Sequence, residues 1–332
     1  MELAGLGDNV HLIPALSALR RHWPAAELHV MANGHVAEIF SLMPWINRVW
    51  AYPSSPRPRL AGYLSIAREL RSARFDCAIN TNGSDRSSLL TRATGALHRI
   101  SRRPADGGPP GWSLLFTQTH DVPFHQQPMY LQKWEFMRAV LGQFEGAGPG
   151  TQPEFPVSID VGARRTRGIG EVDDRRYLHL SPFTTSPARE LPLEQLAQLV
   201  AGLRSRAPHL KVVLSCSPNP REMAGMDALL GLLRAPPWKV FRGTLGIPAL
   251  ASVIDGAALA FSGDTGGLHL AMMSGTPAVA WFRAHRGQRE WIPVQPQYRV
   301  LTAEGGATDA LQGISTEGLL GAAQDLLALG RR

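Results

Sequence analysis

Phe261-Ser262-Gly263-Asp264-Thr265-Gly266-Gly267-Leu268-His269-Leu270-Ala271 is the stretch on which the fold turns. Residues 257–261 form an apolar, β-prone run that reaches a glycine, and apolar residues then recur at helical spacing. Strand, Gly-rich turn and helix in such short order belong to βα alternation, and so to a mostly parallel sheet. Such a helix would turn free N–H groups and the positive end of its dipole toward the carboxyl edge of that sheet, where an anion can be held. Asp264 or Thr265 is the expected cap, and His269 falls about one turn into the helix. A lone histidine is more often a satisfied structural residue, but one a turn above a Gly-rich anion site is a candidate contact.

The same alternation runs outward in both directions. Strands are expected at 177–180, 210–216, 239–241 and 277–281, and helices at 192–206, 221–233, 248–254, 267–274 and 316–329, the last a candidate to pack back on the first half. In that first half, 27–31, 49–52, 77–80 and 98–100 read as strands, and 14–21, 60–74, 86–94 and 127–141 as helices. Gly146-Ala147-Gly148-Pro149-Gly150-Thr151-Gln152-Pro153 cannot hold regular structure and marks the linker. The expected fold is α/β: two doubly wound Rossmann-like domains, 1–150 and 151–332, facing across a cleft with ligands at the carboxyl ends of the strands.

Composition narrows the function classes. The chain has 332 residues, no apolar run long enough for a membrane span and no secretory leader pattern, which points to the cytoplasm. Cys77 and Cys216 lie in strand-like runs without a neighbouring Cys or His at metal spacing, so they read as buried free thiols. The net charge of +7 is concentrated: residues 57–103 hold ten Arg against Glu69, Asp76 and Asp85, a surplus equal to that of the whole chain. Solvated Arg-rich helix faces would account for it, and so would a patch for an anionic partner. Aromatic interleaving is sparse there, so nucleic acid is not expected.

Two further segments carry chemistry. Gly5-Leu6-Gly7-Asp8-Asn9-Val10-His11-Leu12-Ile13-Pro14 is a Gly-rich turn entering an apolar helix. Val10 stands where a dinucleotide fingerprint has its third glycine, so that motif fails. Asp8 is then either a helix N-cap or a general base that small neighbours leave open to a substrate hydroxyl. Leu180-Ser181-Pro182-Phe183-Thr184-Thr185-Ser186-Pro187-Ala188-Arg189-Glu190-Leu191-Pro192 leaves a strand through hydroxyls and an arginine suited to phosphate oxygens, or forms an ordinary capped turn. No Asp-x-Asp triplet of the kind that holds a cation for sugar-nucleotide transfer occurs.

Together and in this order, the three segments resemble the ADP-heptose:lipopolysaccharide heptosyltransferase family, inverting glycosyltransferases of the GT-B fold. The resemblance extends over nearly the whole chain, from Leu6-Gly7-Asp8-x-x-His11-x-x-Pro14-Ala15-Leu16 through Pro24 to Leu28, Phe75 to Asn80 and the Thr184-Thr185 loop to Asp264-Thr265-Gly266-x-x-His269 and Gly275-Thr276-Pro277. It implies that Asp8 is the base that deprotonates an acceptor hydroxyl. It assigns Thr184, Thr185 and Arg189 to the loop that holds the diphosphate of an ADP-sugar, Asp264, Thr265, Gly266 and His269 to the donor site with the helix N-terminus cradling that diphosphate, Glu222 to the ribose and Leu245 to the base. It gives Arg57 and Arg59 to an anionic glycolipid acceptor, with peripheral contact at the inner face of an anionic membrane. No metal or other cofactor is implied. Another nucleotide-sugar donor, or a non-catalytic two-lobed sugar-nucleotide or glycan binder, is the alternative. One departure stands out. Only Met1-Glu2-Leu3-Ala4 precede Gly5, where the family has a full apolar strand, so a stub strand or an upstream start is expected.

Overall fold

The computed structural model describes residues 1–53, 60–104, 107–122, 127–144, 176–284, 287–303, 311 and 313–329. The chain divides into two compact units, Met1–Glu154 and Phe155–Arg332.

In the first unit an extended segment, residues 1–3, turns at Gly5 into α1 (Leu6–His22). There follow β1 (His29–Asn33), α2 (Gly34–Ala37), β2 (Arg48–Tyr52), α3 (Leu60–Ser72), β3 (Cys77–Asn80), α4 (Asp85–Thr94), β4 (His98–Arg102), β5 (Gln118–His120) and α5 (Met129–Leu141). Local rules set the ends of α4: the Ser84 hydroxyl accepts from Ser87 N, and Gly95 closes the helix at φ 66°. β1 pairs with β2, and β3, β4 and β5 pair in that order, all parallel.

Residues 1–3 lie between those two groups of strands. Glu2 N donates to Met31 O (2.9 Å) on one side, and Thr81 N donates to Met1 O (3.1 Å) on the other. A single parallel bridge, Glu2 to Ala32, is what the stub forms in place of a ladder. Leu3 packs beneath it with Met31, Trp50, Tyr52, Leu70 and Leu90. The stub also buries a charge: Glu2 is fully buried and is paired with the Lys133 ammonium of α5, itself 4% exposed. The Thr81 hydroxyl (2.8 Å) and Ala4 N (3.3 Å) donate to the same carboxylate, so its lone pairs are served from three directions.

The second unit comprises β6 (Tyr177–Ser181), α6 (Leu193–Arg206), β7 (Lys211–Cys216), α7 (Pro220–Leu232), β8 (Lys239–Arg242), α8 (Ile247–Asp255), β9 (Leu259–Gly263), α9 (Gly266–Ser274), β10 (Ala278–Arg283), α10 (Gln288–Trp291), β11 (Tyr298–Ala303) and α11 (Thr316–Leu329). Its strands form one parallel sheet in the order β11-β10-β9-β6-β7-β8. Every residue of β6 and β9 is buried, as the middle strands of a sheet covered on both faces must be. The last helix packs on α6, β10 and β11, and Arg206 donates to Glu317 (2.6 Å). Both cysteines are half-buried and not fully so: Cys77 opens β3 and Cys216 ends β7, where a strand meets its loops. Among the described residues no helix is long and apolar enough to cross a membrane.

Lys133→Met strands the Glu2 carboxylate in the interior and should cost about 3–5 kcal/mol in urea unfolding. The double variant with Glu2→Leu should recover most of that loss, because no unpaired charge remains.

Candidate functional site

From β6 the chain of the second unit moves outward to β7 and β8, then returns to place β9 on the other side of β6. The loops leaving β6 and β9 therefore diverge, and a crevice opens between them at the carboxyl edge. Both anion-site motifs of this unit lie on those two loops.

Arg189 ties the loops together. It stands at the end of a short 3-10 turn, Pro187–Arg189, and its guanidinium donates to the Asp264 carboxylate (3.0 Å), the Asp264 carbonyl (3.2 Å) and the Thr185 hydroxyl (3.0 Å). The Arg189 carbonyl accepts from the Trp281 indole N–H (3.3 Å), which fixes the loop from below. A Cβ on Gly263 would lie 2.8 Å from that indole nitrogen and 3.1 Å from the Arg189 carbonyl, so this approach needs glycine. Thr184 is buried and shapes the loop: its hydroxyl donates to Ser186 O (2.7 Å), its N–H donates to Glu190 (2.7 Å), and its carbonyl accepts from Arg221. Thr185 is exposed.

α9 opens the opposite wall. Thr265 is its N-cap in extended conformation with no side-chain cap bond, and Thr265 and Gly266 are half-buried. First-turn N–H groups and the positive dipole end thus stand beside the guanidinium. A Cβ on Gly267 would meet the Ser181 hydroxyl at 2.7 Å, so the first turn seats directly on β6. His269 is 5% exposed, and its ring lies 5.3 Å from that of Trp291 at a tilt of 59°. Burial pushes its imidazole down to about 4, with Asp264 opposing and Arg189 reinforcing, so at neutral pH it is an uncharged hydrogen-bonding group.

Glu222 and Leu245 come from the next two strand ends. Glu222 sits in the first turn of α7 in a reciprocal cap: its N–H donates to the Asn219 side chain (2.9 Å), and its carboxylate accepts from Ser217 N (2.9 Å) and the Asn219 amide (2.8 Å). Leu245 packs on the cluster of Tyr177, Val213, Phe241 and Val253. Gly243, at φ 66°, bonds its N–H to Cys216 O (3.2 Å) and brings the two loops together, since a Cβ there would lie 2.7 Å from Pro218 Cα.

In the first unit Asp8 is not the N-cap. Gly5 caps α1, and Asp8 occupies the first turn with its carboxylate reaching back to the N–H groups of Gly5 and of Asp8 itself. It is half-buried. Burial pushes its carboxyl up to about 6; Lys133 and those N–H groups pull down, and Glu2 pushes up. Glu2 and Lys133, 131 residues apart, carry no motif that announces them; a charged residue inside an apolar start was the one available sign.

Arg57 and Arg59 lie outside the described residues. Several other arginines of the basic stretch serve the fold: Arg102 is buried and donates to Val122 O (3.1 Å) and Gln132 (2.9 Å), Arg99 donates to Ala96 O (2.6 Å) and Leu115 O (3.2 Å), and Arg103 pairs with Asp121 (3.3 Å). Arg68, Arg71, Arg74, Arg86 and Arg92 are exposed. Among the described residues no group of three or more His, Cys, Asp or Glu side chains could hold a metal ion.

Two α/β units with parallel sheets, one with an arginine and a helix N-terminus at its switch point, are a doubly wound architecture, and the match of the chain to a family model makes it a glycosyltransferase. Within that class the chain belongs to glycosyltransferase family 9 (heptosyltransferase), whose sequence model matches residues 63–318. Similar relatives are the lipopolysaccharide core heptosyltransferase OpsX of Haemophilus influenzae, 22% identical over 87% of this chain and 79% of that protein, and lipopolysaccharide heptosyltransferase 3 of Escherichia coli K12, 23% identical over 86% and 82%. The E. coli heptosyltransferase WaaC solved with ADP-2-deoxy-2-fluoro heptose has the same fold, at a TM-score of 0.78 and 18% identity over 98% of both chains.

A carboxyl whose folded value lies above its ordinary one favours the folded state when protonated, so the contribution of Asp8 falls as pH rises from about 4 through about 6. Asp8→Asn should therefore raise Tm relative to the parent at pH 7, with the difference vanishing near pH 4 in paired thermal melts.

Proposed function

We propose that the chain transfers a heptose, or a similar sugar, with inversion from ADP-heptose to a lipopolysaccharide-core-type glycolipid, and does so without a metal ion. The observation that carries this reading is the placement of Arg189 and the start of α9 on the two loops of one switch-point crevice. A leaving diphosphate needs fixed positive charge and oriented N–H groups, and that crevice supplies both. The names of the similar relatives supply the sugar and the acceptor class.

In this mechanism Asp8 accepts the proton of the acceptor hydroxyl as its oxygen attacks the anomeric carbon. The bond from that carbon to the donor diphosphate breaks on the opposite face. Negative charge gathers on the departing phosphate, where Arg189 and the N–H groups at Thr265 and Gly266 receive it. His269, uncharged, orients phosphate oxygens or the sugar through a hydrogen bond. Asp264 keeps the guanidinium in place while it meets the diphosphate. The Thr184-Thr185 turn keeps Arg189 in place, Glu222 accepts from the ribose, and Leu245 covers one face of the adenine. Arg57 and Arg59 attract the acceptor's anionic groups, which brings the enzyme to the inner face of an anionic membrane.

Asp8→Asn should keep donor binding and lower kcat by about 10²–10⁴, and Arg189→Met should lower kcat by about 10²–10³. Unchanged turnover in Asp8→Asn would remove it as the base. In the active parent, kcat/KM should rise with pH and level off above about 6, and activity should survive EDTA. Thermal shifts across ADP-, UDP- and GDP-sugars should be largest for the ADP-sugar; a larger shift with another nucleotide would reassign the donor.

A further inference from the structure

The loop that leaves β6 is held from both sides. The sheet order β9-β6-β7 places it between the loops that leave β9 and β7. On the β9 side the Arg189 guanidinium reaches Asp264 (3.0 Å). On the β7 side stands Arg221, the second residue of α7, whose guanidinium donates to the Glu190 carboxylate (2.9 Å) and to the Thr184 carbonyl. The other oxygen of that carboxylate accepts from Thr184 N (2.7 Å). Glu190 thus closes residues 184–190 at their base, and Arg221 fastens the closure to a helix.

α7 is a firm support. Its first turn is fixed by the reciprocal cap of Asn219 and Glu222, and a Cβ on Gly225 would lie 2.9 Å from the Phe183 ring, so the helix rests directly on the residue before Thr184. Arg221 also stands 3.9 Å from the Glu222 carboxylate. Contacts therefore run from Asp264 and Arg189 on one side of the loop to Glu190, Arg221 and Glu222 on the other. The Glu190 side chain is 13% exposed and that of Arg221 42%. An ion pair with so exposed a guanidinium adds little to global stability, whereas a group displaced by about 1 Å from its place in a reaction can cost about 10²-fold in rate. The effect of the pair falls on the position of the loop it closes.

We propose, on the reading of this crevice as the donor diphosphate site, that Glu190 and Arg221 are positioning residues for Arg189. Asp264 and the Trp281 indole hold Arg189 from the β9 side and from beneath. The pair supplies the constraint that faces β7, because a loop released at Thr184 can shift toward β9 with the contact between Arg189 and Asp264 intact. Arg189 would then stand at a different point along the diphosphate, away from the phosphate on which charge gathers as the bond breaks. Neither positioning residue touches the reacting atoms in this role. Each is a sequence neighbour of a residue that does the binding, Glu190 of Arg189 and Arg221 of Glu222, and the two are 31 positions apart.

A double-mutant cycle on the full chain tests this, with the parent, Arg189→Met, Arg221→Met and the double variant compared in ADP release from ADP-heptose and in ADP affinity by calorimetry. Arg221→Met should lower kcat by about 10- to 100-fold and Tm by no more than about 4 °C. Because it acts through Arg189, it should add less than about twofold to the loss in Arg189→Met, and the same non-additivity should appear in ADP affinity. Losses that multiply would make Arg221 a separate donor contact and overturn the positioning role, and so would full kcat in Arg221→Met. Glu190→Gln keeps an acceptor for Thr184 N and removes the charge that Arg221 meets. It should lower kcat in the same direction with Tm unchanged; parental kcat in this variant overturns the pairing. A fall in Tm of more than about 10 °C in both single variants would make the pair a support of the fold and overturn the proposal. A parent that binds ADP and turns over, with losses that multiply, leaves the donor reading standing and removes the positioning role alone. A parent that binds no ADP removes both.

Discussion

The contact of Arg189 with Asp264 ties together the two loops of the switch-point crevice. These residues are 75 positions apart in the chain, on loops that the sheet order sends to opposite sides of β6 and β9. A crevice at a switch point diverges by construction, so something must fix its width. Here a partly buried charge-assisted bond does so, and the Trp281 indole braces it from beneath through the Arg189 carbonyl. That brace is possible only because Gly263 lets the strand end lie against it. Without a tie, the positive end of α9 and the guanidinium would face a departing phosphate in no fixed relation, and electrostatic assistance depends on groups already aimed where charge develops.

In the first unit a carboxyl stands under two opposing charges. Asp8 is three residues into a helix whose leading segment makes one sheet bridge. The Glu2–Lys133 pair links residues 1–3 to α5 across the interior. It also sets the local field, since Lys133 draws the Asp8 carboxyl down and Glu2 drives it up. With the two charges partly cancelling at Asp8, burial decides the outcome and leaves the carboxyl poised near 6. A group so placed costs stability when ionised.

Much of the second unit was legible because its strands and helices obey local rules. The 257–261 run, the glycines after it and the apolar helix face specify β9 and α9 to within two residues. β11 and the four-residue α10 were not legible: β11 is an edge strand whose middle residues are half-buried, and α10 is too short to show a period. In the first unit, β5 has three residues and no alternation, and α1 begins eight residues before Pro14, which reads as a helix start but stands inside this helix. The motifs named Arg189, Asp264 and His269 individually, but nothing local says that Arg189 and Asp264 touch. Thr184 shows the opposite limit: a hydroxyl beside a strand end suggests a ligand, and three dimensions commit it to Ser186.

The charge map takes its meaning from the same distinction between a residue and its surroundings. Ten arginines in residues 57–103 carry the surplus of the chain. Arg99 and Arg102 are spent on carbonyls that strand ends and loops leave unsatisfied, and Arg103 is offset by Asp121. A guanidinium used in this way still contributes to the long-range field, but it cannot turn to meet an anion. Of the exposed members, Arg71 lies against Gly95 and Arg86 lies 5.3 Å over the Tyr52 ring, while Arg68, Arg74 and Arg92 stand at the surface. Exposed charges of one sign raise the rate of encounter with an anionic surface and do little for the energy of a formed contact, and their reach ends within about 8 Å at physiological salt. The surplus is therefore divided between arginines that serve the fold and arginines that stand at the surface.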